Sequence, residues 1–291
     1  MALKNCSFKH AVVGLDLSKV TDLFVSWLPH LQRVGTRSIT LVHVVPLEVL
    51  EHVASGYPVD KLQENMRREA LRRLDVYATE LRSKGFEVEV IRPEVGEPAI
   101  KIAEIARRLN ADYIVVASRG HGWIRRILLG STSEELVHVA DRPVFISKPY
   151  TRGEDGGEEL RAPGDPFEGP IVAAVDFDDY LDRVLCRASE IARRTSARVV
   201  LLHVLEEDEE GPTVAKRLLE LTERLKAEGI EASYVIARGK PGKAIVDQAK
   251  KLGASLILIG PHSRSEGAIE IMGTTTEAVI RRAETHVLVC K

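Results

Sequence analysis

Residues 10–16 read His-Ala-Val-Val-Gly-Leu-Asp, and residues 170–176 read Pro-Ile-Val-Ala-Ala-Val-Asp. Each is a short apolar run closed by an aspartate. The echo continues in the same order along the chain. Leu41-Val42-His43-Val44 returns as Leu201-Leu202-His203-Val204, and Gly96-Glu97-Pro98 as Gly239-Lys240-Pro241. Leu128-Leu129-Gly130-Ser131 returns as Ile271-Met272-Gly273-Thr274. Four ordered matches at this spacing mark a duplicated domain, not a solenoid unit.

The 291 residues suit two domains of about 140–150 residues, each large enough for its own core. We place the first at 1–150, a linker at 151–169 and the second at 170–291. The linker is rich in Gly, Pro and acids, so it reads as exposed. No apolar run approaches a membrane span, and the N-terminal residues lack a signal-peptide core, so a cytoplasmic protein is expected. The net charge of −2 argues against a nucleic-acid partner. Residues 1–150 carry 21 Lys+Arg against 18 Asp+Glu, and residues 151–291 carry 20 against 25. Cys6, Cys186 and Cys290 lie far apart with no CxxC, so reduced thiols are expected and no metal site.

Within each half, short β-rich runs alternate with longer amphipathic ones. Strands are expected at about 10–15, 39–45, 86–91, 112–117 and 143–148, and again at 170–175, 198–205, 231–237, 255–260 and 286–290. Near-continuous apolar runs such as Ile114-Val115-Val116-Ala117 suit a parallel sheet covered on both faces. Helical periodicity from Leu62 ends at Gly85, and that from 213 ends at Gly229. Pro98 and Pro241 sit where helices start. The alternation implies right-handed crossovers and two open α/β sheets. His43 to His203 is an offset of 160, but Gly96 to Gly239 is 143. The first half therefore carries about 17 extra residues near 46–62, either an added turn and loop or a lid or partner surface.

In open parallel sheets ligands sit beyond the carboxyl ends of the strands. Asp16 and Asp176 close the first strands there, as sugar or base acceptors or as helix caps. Val44 and Val204 end the second strands. After the fourth strand come Ala117-Ser118-Arg119-Gly120, nine residues, then Gly130-Ser131-Thr132-Ser133. The second half has Gly260-Pro261-His262-Ser263, nine residues, then Gly273-Thr274-Thr275-Thr276. Small residues let a ligand approach the backbone, and a helix opened by Gly-Ser/Thr offers N–H groups to phosphate. The same residues also read as capping boxes, Ser131-x-x-Glu134 and Thr274-x-x-Glu277, which need no ligand. No Walker or dinucleotide fingerprint occurs. His43 and His203 sit at equivalent positions against the sheet, where structural packing is expected. No repeated catalytic set is present, so no catalytic residue is assigned.

On these features the chain resembles a tandem universal stress protein, with two such domains covering nearly all of it. ATP-binding members carry G-x2-G-x9-G-[S/T] after strand four and an Asp at the end of strand one. The resemblance implies a five-stranded parallel sheet of order 3-2-1-4-5 in each half, with helices on both faces. It also implies a pseudo-dimer paired through Val144–Lys148 and Val287–Lys291, and a homo-oligomer. It implies an adenine-nucleotide site, for ATP with Mg²⁺, in a stress sensor or regulator that hydrolyses slowly at most. Carried over by position, the first site uses Asp16 and Val44 near adenosine. Ala117 and Gly120 lie under the phosphates, and Gly130, Ser131 and Ser133 hold phosphate oxygens. Gly14, Leu15, Val116 and Thr132 complete the set. The second site uses Asp176, Val204, Gly260, Gly273, Thr274 and Thr276.

Ala117 departs from the motif in the first copy and Ser263 in the second. The first loop carries Arg119, Arg125 and Arg126, the second Arg264 with Glu266 and Glu270. Unless these charges are only solvated helix faces, the first half is the better nucleotide site. The alternative is a dimerising interaction protein of the same fold that binds no nucleotide. An ATP pyrophosphatase would need an SGGxDS-type loop after strand one, which is absent.

Overall fold

In the computed structural model the described residues are 6–47, 59–118, 131–148, 151–152, 158–159, 162–206, 209–261 and 272–291. They form two compact units. One is Phe8–Pro163; the other is Gly164–Lys291, which Cys6 and Ser7 join.

In the first unit, β1 (His10–Gly14), β2 (Ser38–Val42), β4 (Glu87–Val90), β6 (Tyr113–Ala117) and β7 (Val144–Ser147) form one parallel sheet. Their pairings run β4-β2-β1-β6-β7, which is 3-2-1-4-5 when these five are counted along the chain. Four consecutive residues of β6 and all four of β7 are buried, so both faces of the central sheet are covered. The covering helices are α1 (Thr21–Trp27), α2 (Val59–Ser83), α3 (Pro98–Arg108) and α4 (Ser131–Val139), with a 3-10 segment at Leu28–Val34. Helix α2 packs on β2 and β4, α3 on β1 and β6, and α4 on β7. Under α1, Trp27 stacks on Phe24 and meets Phe145, all three within 1% of full burial. Burying side chains of this size contributes about 1.5–3 kcal/mol each.

The second unit repeats this plan. Strands β10 (Ile171–Ala174), β11 (Val199–Leu205), β12 (Ala232–Arg238), β13 (Leu256–Ile259) and β14 (His286–Val289) pair in the order β12-β11-β10-β13-β14. Its helices are α5 (Leu181–Thr195), α6 (Gly211–Ala227), α7 (Pro241–Lys251) and α8 (Thr274–Arg282). As the punctuation residues suggest, Pro98 and Pro241 open helices, and Gly85 and Gly229 follow helix ends at φ of 93° and 79°.

Three features differ from the sequence expectation. The run 39–45 is not one strand: it breaks at His43, and β3 (Val44–Val45) pairs instead with β5 (Glu94–Val95). Pro93 separates β4 from β5, and a proline cannot donate to the ladder. No proline interrupts β12, and β11 and β12 pair without a break over seven residues. The linker is not wholly exposed. Thr151–Arg152 pairs antiparallel with Glu158–Glu159, here β8 and β9, and Phe167 is only 2% exposed. Ser255 Oγ donates to Pro166 O at 2.9 Å, so the last residues before β10 fold onto the second unit.

The thiols are the third correction. Cys6 and Cys186 are joined in a disulfide across 180 residues of sequence, with their Cα atoms 6.1 Å apart. That Cα spacing is ordinary for a bridge. Their separation along the chain hid it, because only the folded chain brings the N-terminal segment to α5. Cys290 is fully buried, and burial pushes its thiol up to about 11. The native protein should therefore show no thiol to a water-soluble thiol reagent at pH 7.5. Unfolded without reductant it should show one, and after reduction three. Reducing the bridge should lower unfolding free energy by about 2–4 kcal/mol. Two reactive thiols before reduction would mean that Cys6 and Cys186 are not bonded.

Candidate functional site

The carboxyl end of each sheet is built from the same small set of ties. After β1 the chain turns upward, and Leu15 N donates to Val42 O at 2.9 Å. The Leu15 carbonyl then accepts a hydrogen bond from His43 Nδ1 at 2.7 Å. In the second unit Val175 N donates to Leu202 O, and Val175 O accepts from His203 Nδ1 at 2.8 Å. Both histidines are thus structural at the ring nitrogen nearer the backbone, in line with the packing role expected of them.

The helix after the fourth strand is tied in the same way twice. Ser133 Oγ donates to Ala117 O at 2.8 Å, and Thr276 Oγ1 donates to Gly260 O at 2.7 Å. Each hydroxyl has a single proton, and it is committed to the strand end. These two side chains tie the helix start to the strand end, and their hydroxyls have no proton left to donate to a phosphate. The capping box does not form in the second copy. Gly273 is the N-cap of α8, no side chain caps it, and Glu277 reaches forward to Arg281 at 3.0 Å. Ala117 is the last residue of β6, in parallel register with Ser147, and it is not among the residues with positive φ. Alanine is therefore accommodated where the motif has glycine, because the position is extended backbone.

In the first unit a cavity of about 670 Å³ opens over this edge. Gly14, Leu15, Asp16, Val44, Val116, Ala117, Ser131, Thr132 and Ser133 all line it. Gly120 and Gly130 lie outside the described residues, as do Arg119, Arg125 and Arg126 and residues 48–58 of the insert near 46–62. Asp16 accepts hydrogen bonds at Oδ1 from Ser18 N at 3.1 Å and Thr21 Oγ1 at 2.9 Å. It therefore ties the turn after β1 while lining the cavity, but it is not the cap of α1, whose N-cap is Val20.

The sequence reading missed one wall. Met66, Glu69, Ala70 and Arg73 of α2 line the cavity opposite the β1 turn, with Val20, Thr21 and Phe24 of α1 and its approach. Arg73 Nη1 donates to Leu17 O at 2.6 Å, and its Nη2 donates to Tyr77 Oη at 3.3 Å. Tyr77 Oη in turn donates to Asp22 Oδ1 at 2.5 Å. Burial first, then the bond to Asp22, raise the Tyr77 phenol above its ordinary range. Leu17 has φ of 56°, a left-handed conformation that costs a residue with a Cβ about 1–2 kcal/mol. The signal that could have found Arg73 is the repeat itself. Arg73 and Arg217 each stand twelve residues before the glycine that ends their helix.

In the second unit the corresponding cavity is only about 70 Å³. Asp176, Val204, Gly260 and Thr276 line it, joined by Thr275, which the sequence reading did not select. Gly273 and Thr274 are not among its lining residues, and α6 contributes none of the described ones. The contacts beside it also differ from those of the first unit. Phe177 lies against the His203 ring at 5.1 Å between centroids, and the Arg217 guanidinium sits 3.7 Å over the Phe177 ring. His203 Nε2 meets Glu209 Oε2 at 2.7 Å, and the same oxygen accepts Glu206 N at 3.0 Å. Asp176, Asp178 and Glu206 face what remains, with no Lys or Arg among the described lining residues. Burial is the main cause that raises the Asp178 carboxyl. Ser263, Arg264, Glu266 and Glu270 lie outside the described residues.

Among the described residues no cluster of three His, Cys, Asp or Glu side chains could hold a metal ion. Nor is any described helix long and apolar enough to cross a membrane.

Comparison with known proteins agrees with this architecture. A model of the universal stress protein family matches residues 7–148 and 169–291. A universal stress protein of Mycolicibacterium smegmatis is 26% identical over 96% of each chain, and one of Mycobacterium tuberculosis is 25% identical over the same shares. The crystal structure of a universal stress protein from Archaeoglobus fulgidus superposes with a TM-score of 0.78 at 29% identity, covering 99% of this chain and 98% of that one. The chain belongs to the universal stress protein family, with two copies of the family's domain in tandem.

Proposed function

We propose that this protein binds one adenine nucleotide per chain, in the first unit, and acts as a regulator rather than a catalyst. One observation carries the reading. All nine described residues that the family motif assigns to the first site line a single cavity, and its volume lies in the range of ordinary ligand pockets, about 300–1,000 Å³. Phosphates would meet the start of α4 at Ser131 and Thr132, where backbone N–H groups and the helix dipole favour anions. The sugar and base would lie toward Asp16, Val44 and the α2 wall. Mg²⁺ would enter as the counter-ion of the phosphates.

The regulatory reading follows from the sequence, in which no catalytic set repeats between the two copies. The second unit has the same frame but a cavity of about 70 Å³ faced by three carboxylates. Both its size and its sign disfavour a nucleotide.

Titration calorimetry with ATP and Mg²⁺ should give a stoichiometry near one per chain. Two equal sites would overturn the assignment to one unit, and no heat at millimolar ATP would overturn nucleotide binding itself. Ser131→Asp places a carboxylate where the phosphates would lie while remaining favourable at a helix N-terminus. It should raise the Kd for ATP at least tenfold, from repulsion of about 1 kcal/mol or more per charge pair near 4 Å, and leave thermal stability unchanged. Thr274→Asp, the matching change in the second unit, should leave ATP affinity unchanged.

A further inference from the structure

The turn that carries Asp16 is gripped from outside by α2. Leu17 follows Asp16 with its backbone in the left-handed region, and its carbonyl receives the Arg73 guanidinium at 2.6 Å. The same guanidinium reaches Tyr77, which donates to Asp22 on α1. The strap thus holds both ends of the segment in which Ser18 and Thr21 bind the Asp16 carboxylate. A strained residue persists only where its surroundings over-determine it.

The second copy keeps the arginine and loses the strap. Phe177 stands directly after Asp176, and it is not among the non-glycine residues with positive φ. Arg217 lies over the Phe177 ring, and the ring meets His203. One arginine position therefore has two partners, a backbone carbonyl beside an open cavity and an aromatic ring beside a closed one.

We propose that Arg73 is a positioning residue of the first site. By holding the Leu17 carbonyl it fixes the left-handed turn that presents Asp16, and it keeps α2 standing off the sheet edge as a cavity wall. The choice of Leu17 with Arg73 against Phe177 with Arg217 is what leaves one copy receptive and the other closed. This rests on the nucleotide reading above. The rival role for an arginine in such a cavity is direct pairing with phosphate.

The full-length chain with Arg73→Met, which keeps much of the apolar stem, separates the two roles. Positioning predicts that Kd rises by the same factor, about tenfold, for AMP and for ATP. Adding Leu17→Gly should recover most of that loss, since glycine takes the left-handed turn unaided. Leu17→Phe alone should also weaken both ligands. A loss for ATP tenfold greater than for AMP, or no recovery with glycine, would overturn the proposal. Thermal unfolding without ligand supplies an independent readout. Arg73→Met should lower Tm less in the Leu17→Gly background than in the natural one, and additive losses would sink the clamp. If the natural chain binds neither nucleotide while this coupling is present, the nucleotide reading fails and the clamp stands.

Discussion

A single hydroxyl-to-carbonyl hydrogen bond in each copy decides where everything else at the sheet edge can lie. Ser133 reaches Ala117 O, and Thr276 reaches Gly260 O, each from the first turn of a helix to the last residues of the fourth strand or just beyond. The bond fixes the helix start over the sheet edge, so its N–H groups face the space above β1. The histidine-to-carbonyl bonds at Leu15 and Val175 fix the opposite bank, the exit of the first strand. With both banks set, the distance across the cleft is a property of the fold, present before any ligand arrives. That is preorganisation in its simplest form: the frame is held by bonds within the chain, and a ligand need only fill it.

The two copies share this frame and differ in what stands above it. In the first, α2 approaches with Met66, Glu69, Ala70 and Arg73, and the space stays open. In the second, Phe177 packs on the His203 ring and Glu209 meets its Nε2. His203 Nδ1 donates to Val175 O, and its Nε2 lies 2.7 Å from Glu209 Oε2. Asp176, Asp178 and Glu206 face the smaller cavity. Like charges converging on a small volume repel an anion more strongly there than on an open surface. Size and sign therefore act in the same direction, and neither depends on the loop charges from which the asymmetry was first read.

The architecture was legible because strand, helix and punctuation signals were written twice. Gly85 and Gly229 at helix ends, Pro98 and Pro241 at helix starts, and buried runs such as Ile114–Val116 each have a local cause that periodicity captures. The site's floor was legible for the same reason, since its residues sit in short motifs at the ends of strands. What escaped has non-local causes. Arg73 enters the cavity from a separate helix, and no motif links it to Leu17, fifty-six positions away. The Cys6–Cys186 bridge joins segments that only the fold brings together. The separate pairing of Val44–Val45 with Glu94–Val95 also escaped, because the apolar run 39–45 reads as one strand.

The duplication also bears on how site residues should be weighed. A residue that both copies keep, such as the histidine at the second strand or the hydroxyl on the helix, is present beside an open cavity and beside a closed one. Its retention therefore reports the demands of the fold, since it stands equally beside the larger cavity and the smaller one. The residues that discriminate are those that differ: Leu17 against Phe177, Ser18 against Asp178, and the carbonyl or ring to which the helix arginine turns. In a duplicated chain the motif identifies the frame, and the departures from the repeat identify the copy that can receive a ligand. By that argument the function of this protein is read less from the glycines and hydroxyls of its motif than from one arginine and the residue it holds.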